Sequence, residues 1–499
     1  MALINEAEER FPVDRWTWNG IHVWPYVRVR LNFDLLRFSQ AQGVVPQNDG
    51  PVSRVTRHAR NAVRGITRQL YAKWQDSGKS DRLRRADVLF LSDGISFVQE
   101  EGKWLERFCE PIAEQLRRDN VSTLLLTPLH YYHTPRNAPS VYIQSSLDTA
   151  AASGLFNARM GLVKTNWSLE RYDELSQWLG QRTGGAPLCG RKWLARSMTI
   201  VDAITRRFLR LMRQVRPRLV MQVSYYSTIG MACNIACRQF GVPTFDIQHG
   251  VQGDLHVAYG RWNKVPETGY AMLPRYFWCW SEYELESIQR WADAFDQYHQ
   301  ALVGGNPYLT MWRDGSSPAV KESDLRLSHL VHDKRRQILV TLQFGFGTER
   351  ELGGLLEAIR QTTKAYDWWV RFHPAMTSDE RTGVAGLFIE AGLSGERFEV
   401  SSKLPLYALL RHMHVHITHS SSTVIEAAQF GIPSIIVNTF GAELFPAYIK
   451  SGVACVATQA WEIVEALRRL ERHTAMNETS RTQGNSAWRI CRQIVPATS

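Results

Sequence analysis

Apolar residues fall along this chain in short blocks separated by amphipathic stretches, a pattern that predicts strands alternating with helices. The blocks ADVLFLSDG (Ala86 to Gly94), STLLLTPL (Ser122 to Leu129), PRLVMQVSYYS (Pro217 to Ser227) and GVPTFDIQHG (from Gly241) read as strands of one sheet, with RYFWCWSE (Arg275 to Glu282) as its last. Between them, the segment after Gly94 is expected to become helical by Lys103, residues 145 to 215 to be mainly helical, and Thr228 to Phe240 to form a helix of small residues. A second series starts with RRQILVTLQFGFG, continues with DWWVRFHP (Asp367 to Pro374) and reaches VHITHSSSTVIEAAQFGIPSIIV (Val415 to Val437). That last block reads as a strand, a turn of hydroxyl residues, a helix and another strand, half of a βαβ unit. Thr458 to His473 closes the series as a helix.

The first fifty residues differ. Asn19-Gly20 between two alternating segments is a strong hairpin signal, and Pro25 can open a helix running toward Phe38. Trp16, Trp18 and Trp24 are expected to pack against the main body. From Ser53 to Trp74, Val55, Ala59, Val63, Ile66, Leu70 and Trp74 recur at helical spacing, with arginines on the other faces. Such a helix could dock on its domain or lie on an anionic bilayer.

Composition narrows the picture. The 499 residues suffice for two large domains, with no apolar run long enough to span a membrane and no signal-peptide pattern at the acidic N-terminus. A cytoplasmic protein is therefore expected. Seven cysteines without a Cys-x-x-Cys pair predict neither a disulfide framework nor a zinc site. The net charge of +11 favours an anionic partner, but without a nucleic-acid-binding signature nucleic acid is not expected.

The candidate chemistry lies at strand ends, where open α/β sheets bind ligands. Arg371, His373 and Pro374 end one predicted strand, and His419, Ser420, Ser421, Ser422 and Thr423 join a strand to a helix, a turn suited to a phosphate oxygen. Gln343, Gly345 and Gly347 form a third turn, although Arg350 occupies the third glycine position of a dinucleotide fingerprint. Asp246, Gln248, His249, Gly250 and Asp254 cluster after another strand, and Asp93 follows the first. His412, His414, His416 and His419 have no accompanying acidic or cysteine ligand, so no metal is expected.

These features, over about residues 86 to 470, resemble the GT-B glycosyltransferases of bacterial surface-polysaccharide assembly. More narrowly, they resemble those using cytidine-nucleotide donors: Kdo transferases, sialyl- and polysialyltransferases, and CDP-glycerol transferases. The resemblance implies two Rossmann-like domains facing across a cleft, with a helical N-terminal extension. The expected boundaries are an extension over 1–85, an acceptor domain over 86–302, a linker over 303–330, a nucleotide-sugar domain over 331–457 and C-terminal helices over 458–499. It further implies transfer, without a metal or other cofactor, of Kdo or a related acidic sugar from a CMP-activated donor to a glycan or lipid-linked glycan, at a membrane surface reached through residues 53–74. His373 and Pro374 would then hold the nucleotide, with Arg371, Gln343, Gln248 and Gly250 beside the donor, Ser420 to Thr423 on its phosphate, and Glu426 on the ribose. The catalytic carboxylate would be Asp246, with His249 beside it and Asp93 or Glu101, in an acidic-acidic-Gly run, as other candidates. Other nucleotide donors, a nucleotide-sugar 2-epimerase and a catalytically silent glycan-binding scaffold are the competing readings.

Overall fold

The computed structural model describes residues 1–41, 83–128, 137–138, 140–163, 165–183, 189–317, 319–331, 335–343, 348–472 and 486–496. The expected basic helix over 53–74 and both Gly345 and Gly347 lie outside them. No helix among the described residues is long and apolar enough to cross a membrane. The chain divides into two compact units, Met1–Gly305 with Gly484–Ser499, and Asn306–Gln483.

The first unit begins with the helix Ala2–Arg10, followed by strands β1 (Thr17–Trp18) and β2 (Ile21–His22), joined by Asn19-Gly20 with both φ angles positive, as a tight hairpin of this twist requires. Next come β3 (Val88–Leu91), the pair β4 (Phe97–Glu100) and β5 (Lys103–Glu106), β6 (Thr123–Thr127), β7 (Ser140–Tyr142) and β8 (Trp167–Ser168). Strands β9 (Leu219–Val223), β10 (Thr244–Ile247), β11 (Tyr276–Cys279) and β12 (Gln300–Val303) complete the unit. Seven of these form a parallel sheet in the order β12-β11-β10-β9-β3-β6-β7. Counted by position in the chain this is the Rossmann order with one extra edge strand, and it reverses direction between β3 and β9. Residues of β3, β9 and β10 are all buried, as expected for strands covered on both faces.

The second unit holds β13 (Arg336–Thr341), β14 (Tyr366–Arg371), β15 (Val415–Thr418), β16 (Ser434–Ile436) and β17 (Ala454–Val456). They form a parallel sheet in the order β14-β13-β15-β16-β17, with its reversal between β13 and β15.

Four expectations need correction. Lys103 is in a strand, because Glu101 and Gly102 adopt positive φ and fold Phe97–Glu106 into a hairpin; the helix starts only at Cys109. The first sheet ends with β12, paired to β11, and not with β11. Residues 303–330 are no open linker, since Pro307–Arg313 and Ala319–Leu327 are helices of the second unit. The terminal segments are not separate pieces. Trp16 and Trp24 are fully buried in the core of the first unit, Trp18 nearly so. At the other end, the helix Ala460–Arg472 belongs to the second unit and the helix Ser486–Ile494 to the first.

Candidate functional site

In the second unit the polar residues gather at the carboxyl ends of β13 and β15, which flank the reversal, and of the neighbouring β14. Gln343 follows β13 and accepts a hydrogen bond through Oε1 from the backbone N–H of Ser420, which follows β15, at 3.1 Å. The buried Nε2 of Gln343 has no hydrogen-bond partner among the described residues. Among the described residues this donor is left open between the two strand ends, where a ligand acceptor would satisfy it. His373, after β14, is half-buried; its Nδ1 accepts the Ala375 N–H at 3.2 Å, which places the proton of the neutral ring on Nε2. Burial lowers the pKa of this imidazole, so it is neutral at pH 7.

Ser421 and Thr423 share a hydroxyl contact of 3.0 Å, and Ser421 Oγ accepts the Thr423 N–H at 3.2 Å. Ser422, at the start of the short helix Thr423–Gln429, makes no capping bond through its side chain. The His419 ring rests against the Asn438 side-chain amide. Glu426 is nearly buried and accepts the Tyr407 hydroxyl hydrogen at 2.9 Å, so one of its oxygens is already engaged. Arg371 donates to the carbonyl oxygens of Ser401 and Leu404, and burial lowers its pKa to about 10 against the opposing charge of Glu426. Arg371 therefore braces the loop around Leu404 and is not a free anion clamp.

The remaining histidines have separate structural partners. His412 meets Asp324 at 2.8 Å, His414 accepts the Gln337 N–H at 3.1 Å, and the buried His416 bridges Thr341 and Ser434.

In the first unit the reversal between β3 and β9 again collects polar groups. His249, two residues beyond β10, brings Nε2 within 3.0 Å of Ser224 Oγ and 3.1 Å of the Tyr226 hydroxyl. Both partners lie in the turn after β9, where Ser224 holds φ at +60°, an uncommon conformation for a residue with a side chain. Ser227 caps the following helix by accepting the Gly230 N–H at 2.9 Å. A Cβ on Gly230 would lie 2.6 Å from the Tyr225 carbonyl oxygen, so glycine is what lets the turn close. Burial lowers the His249 pKa, against the opposing charge of Asp93. Asp93 is half-exposed and accepts the N–H groups of Ile95 and Ser96 through Oδ1 and the Ser96 hydroxyl through Oδ2.

The preferred catalytic carboxylate is placed differently from expectation. Asp246 has no exposed surface; one oxygen accepts the Tyr225 N–H at 2.9 Å and the other the Tyr259 hydroxyl at 2.7 Å. Burial raises its pKa to about 7. It is a tie inside the unit and not a carboxylate open at the sheet edge. Gln248 is likewise consumed, its Oε1 accepting from Trp280 N–H at 2.6 Å and its Nε2 donating to the Gly250 carbonyl at 2.9 Å. Asp254 pairs with Arg290 at 2.9 Å. Glu101 stands at the exposed tip of the β4–β5 hairpin, the end opposite Glu106 in the pairing register.

Sequence reading missed Ser224, Tyr226 and Glu106. The first two follow a strand end in a hydroxyl-rich turn, the same signal that singled out His419 to Thr423. Glu106 gave no such signal, being one acid among several in a stretch read as helix. It is fully buried, accepts the Phe108 N–H at 3.1 Å and the Cys109 N–H through Oε2, and leaves Oε1 without a partner among the described residues. Burial, and then the charge of Asp93, raise its pKa to about 8.

A raised carboxyl pKa means that the folded chain keeps a proton the unfolded chain releases. The Glu106 contribution is fully present below pH 4.5 and is lost as pH rises toward about 8, by at most about 1.4 kcal/mol per pH unit. Glu106→Gln mimics the protonated form, so the stability difference between variant and wild type in urea should grow in the variant's favour over that window. Parallel pH curves would refute the placement.

No known sequence family and no curated protein sequence matches the chain. Solved structures do. The UDP-GlcNAc 2-epimerase of Methanocaldococcus jannaschii matches with a TM-score of 0.51 at 12% identity, over 82% of this chain and 98% of that one. The Neisseria meningitidis UDP-GlcNAc 2-epimerase bound to UDP-GlcNAc gives 0.47 at 12% identity, over 77% and 91%. A spinosyn rhamnosyltransferase complexed with thymidine diphosphate gives 0.41 at 11%, over 78% and 92%. Only the first exceeds 0.5, and at such identities likeness speaks for fold alone. Together with the two parallel sheets and their strand orders, it establishes the fold of this chain as a GT-B-like pair of Rossmann-like α/β units.

Proposed function

We propose that the chain is an enzyme acting on a nucleotide-activated sugar, with the nucleotide held by the second unit and acid–base chemistry supplied by the first. The observation that carries this reading is that each sheet gathers polar groups at the carboxyl ends of the strands at and beside its own topological reversal: Gln343, Ser420 and His373 in one, His249, Ser224, Tyr226 and Asp93 in the other. Inverting a sugar carbon that bears hydrogen needs a group to remove a proton and a group to return one; glycosyl transfer needs a base for the acceptor hydroxyl. A neutral His249 can serve either reaction, whereas the enclosed Asp246 suits neither as placed.

Epimerisation of a UDP-linked sugar is the reading to test first, because the fold likeness to the M. jannaschii UDP-GlcNAc 2-epimerase supports it. Transfer from a CMP-linked acidic sugar such as Kdo is the second, favoured by the Gln248-His249-Gly250 and His373-Pro374 sequences.

A thermal-shift panel of UDP, CMP, CDP, GDP and ADP on wild type and His373→Ala separates them. A ligand that binds only the folded state adds about 2.7 kcal/mol of stability at one hundred times its dissociation constant. UDP should raise the midpoint of wild type and act more weakly on the variant. A response to CMP alone would promote the transferase reading, and no response to any nucleotide would remove the nucleotide assignment altogether. With the binding nucleotide known, the matching nucleotide sugar followed by NMR gives a new sugar configuration if the enzyme is an epimerase. Turnover that requires an added acceptor marks a transferase.

A further inference from the structure

On the first unit, the helices Gln144–Arg159 and Arg191–Val215 pack so closely that a Cβ on Gly154 would come within 2.6 Å of the Ala203 Cβ. Beside this seam runs a groove of about 680 Å³, lined by Ser153, Asn157 and Leu162 on one side and by Arg206, Arg210 and Arg213 on the other. The three arginines are all exposed, and their spacing of four and three residues puts them on one helix face. Asp202, also in the lining, pairs with Arg206 at 2.7 Å.

Next to the groove the surface turns apolar. Phe156, Met160 and Leu162 are 62%, 60% and 71% exposed. Phe156 and Met160 lie one helical turn apart, within the stripe that carries Ser153 and Asn157 to the groove, and Leu162 itself lines it. Single exposed apolar side chains are ordinary, but three large ones grouped beside a row of arginines are not. Nucleic acid would answer the arginines and leave the apolar residues unexplained. An anionic bilayer answers both, with headgroup phosphates on the arginines and Phe156, Met160 and Leu162 in the acyl boundary.

We propose that this patch docks the chain on the surface of an anionic phospholipid bilayer. The proposal does not depend on the nucleotide reading, and it places the contact elsewhere than residues 53–74. The test is co-sedimentation of the full chain with phosphatidylcholine vesicles, with and without phosphatidylglycerol. Wild type should partition onto the anionic vesicles only, and added salt should weaken it. Each arginine near such a surface contributes roughly five-fold, so the triple change Arg206→Gln, Arg210→Gln, Arg213→Gln should lower partitioning on the order of 100-fold. Phe156→Ser with Leu162→Ser should also release the chain. All five positions are exposed, and circular dichroism verifies that the variants remain folded. A polarity-sensitive fluorophore on Leu162→Cys, in a Cys455→Ser background that removes the one half-buried native thiol, should shift to the blue on anionic vesicles.

Partitioning by both multiple variants equal to wild type would overturn the proposal, since the contact would then lie elsewhere. So would failure of wild type to bind anionic vesicles, or an unshifted label on vesicle-bound protein. Self-association through the patch in place of vesicle binding, seen by size exclusion, would do the same.

Discussion

Glu8→Ala is expected to cost about 3–5 kcal/mol, because it strands the Arg28 guanidinium in the interior without its counter-charge. Both side chains have zero exposure, and Arg28 reaches Glu8 Oε1 at 2.6 Å. The same oxygen accepts Trp24 Nε1 at 2.7 Å, and Oε2 accepts the Asn263 N–H at 3.0 Å. Arg28 also donates to the Gly260 and Arg261 carbonyls and lies 4.1 Å from the Trp262 ring centroid. Burial already lowers the pKa of Arg28, and Glu8 is the first group opposing that shift. The double variant Glu8→Leu with Arg28→Met removes both charges and should be milder than the single change, since a buried pair replaced by packed apolar groups is often near neutral. Urea denaturation followed by tryptophan fluorescence measures both. A single variant within about 1 kcal/mol of wild type would mean that the pair is hydrated and not buried.

The pair also bears on the site. The segment from His249 to Asn263 runs from the imidazole proposed for acid–base chemistry, through Tyr259 on Asp246, to the backbone groups that Arg28 and Glu8 hold. The N-terminal residues thereby hold the far end of the segment that follows β10.

Local chemistry decides which features the sequence disclosed. The strands were legible because parallel strands buried on both faces are nearly continuous apolar runs, as in Val88–Leu91 and, but for Gln222, Leu219–Val223. Thr228–Phe240 was legible to the residue, since Ser227 and Gly241 mark its ends chemically. The β4–β5 hairpin was not, because Glu101-Gly102 is an unremarkable pair until both positions take positive φ. Asp246 shows a different limit. Its place near a strand end was right, but alternation along a strand cannot tell an edge carboxylate from one enclosed by Tyr225 and Tyr259, which approach from two other segments. Ser224 and Tyr226 come to His249 across 25 and 23 residues of chain, and only the strand order between β9 and β10 brings them together.

His249→Gln should then reduce turnover of the nucleotide sugar by about 10²–10⁴-fold, the usual contribution of a positioned acid–base group. The thermal shift given by the nucleotide should be retained, because the groups proposed to hold it belong to the second unit. Wild-type activity should depend on pH in a defined direction. Burial lowers the His249 pKa from the ordinary 6.5, so the neutral form predominates at pH 7 and the acid limb of kcat/KM should fall below pH 6.5. Tyr226→Phe and Ser224→Ala each remove one hydroxyl from Nε2 while sparing the ring, and they should move that limb with a smaller loss of rate. If His249→Gln keeps full turnover, the proton is carried by another group, and half-exposed Asp93 is the next to replace. If the variant loses both turnover and the nucleotide shift, the residue supports the fold and its chemical role falls. Loss of turnover alone, with the acid limb displaced in the hydroxyl variants, would identify the imidazole as the group that moves the proton.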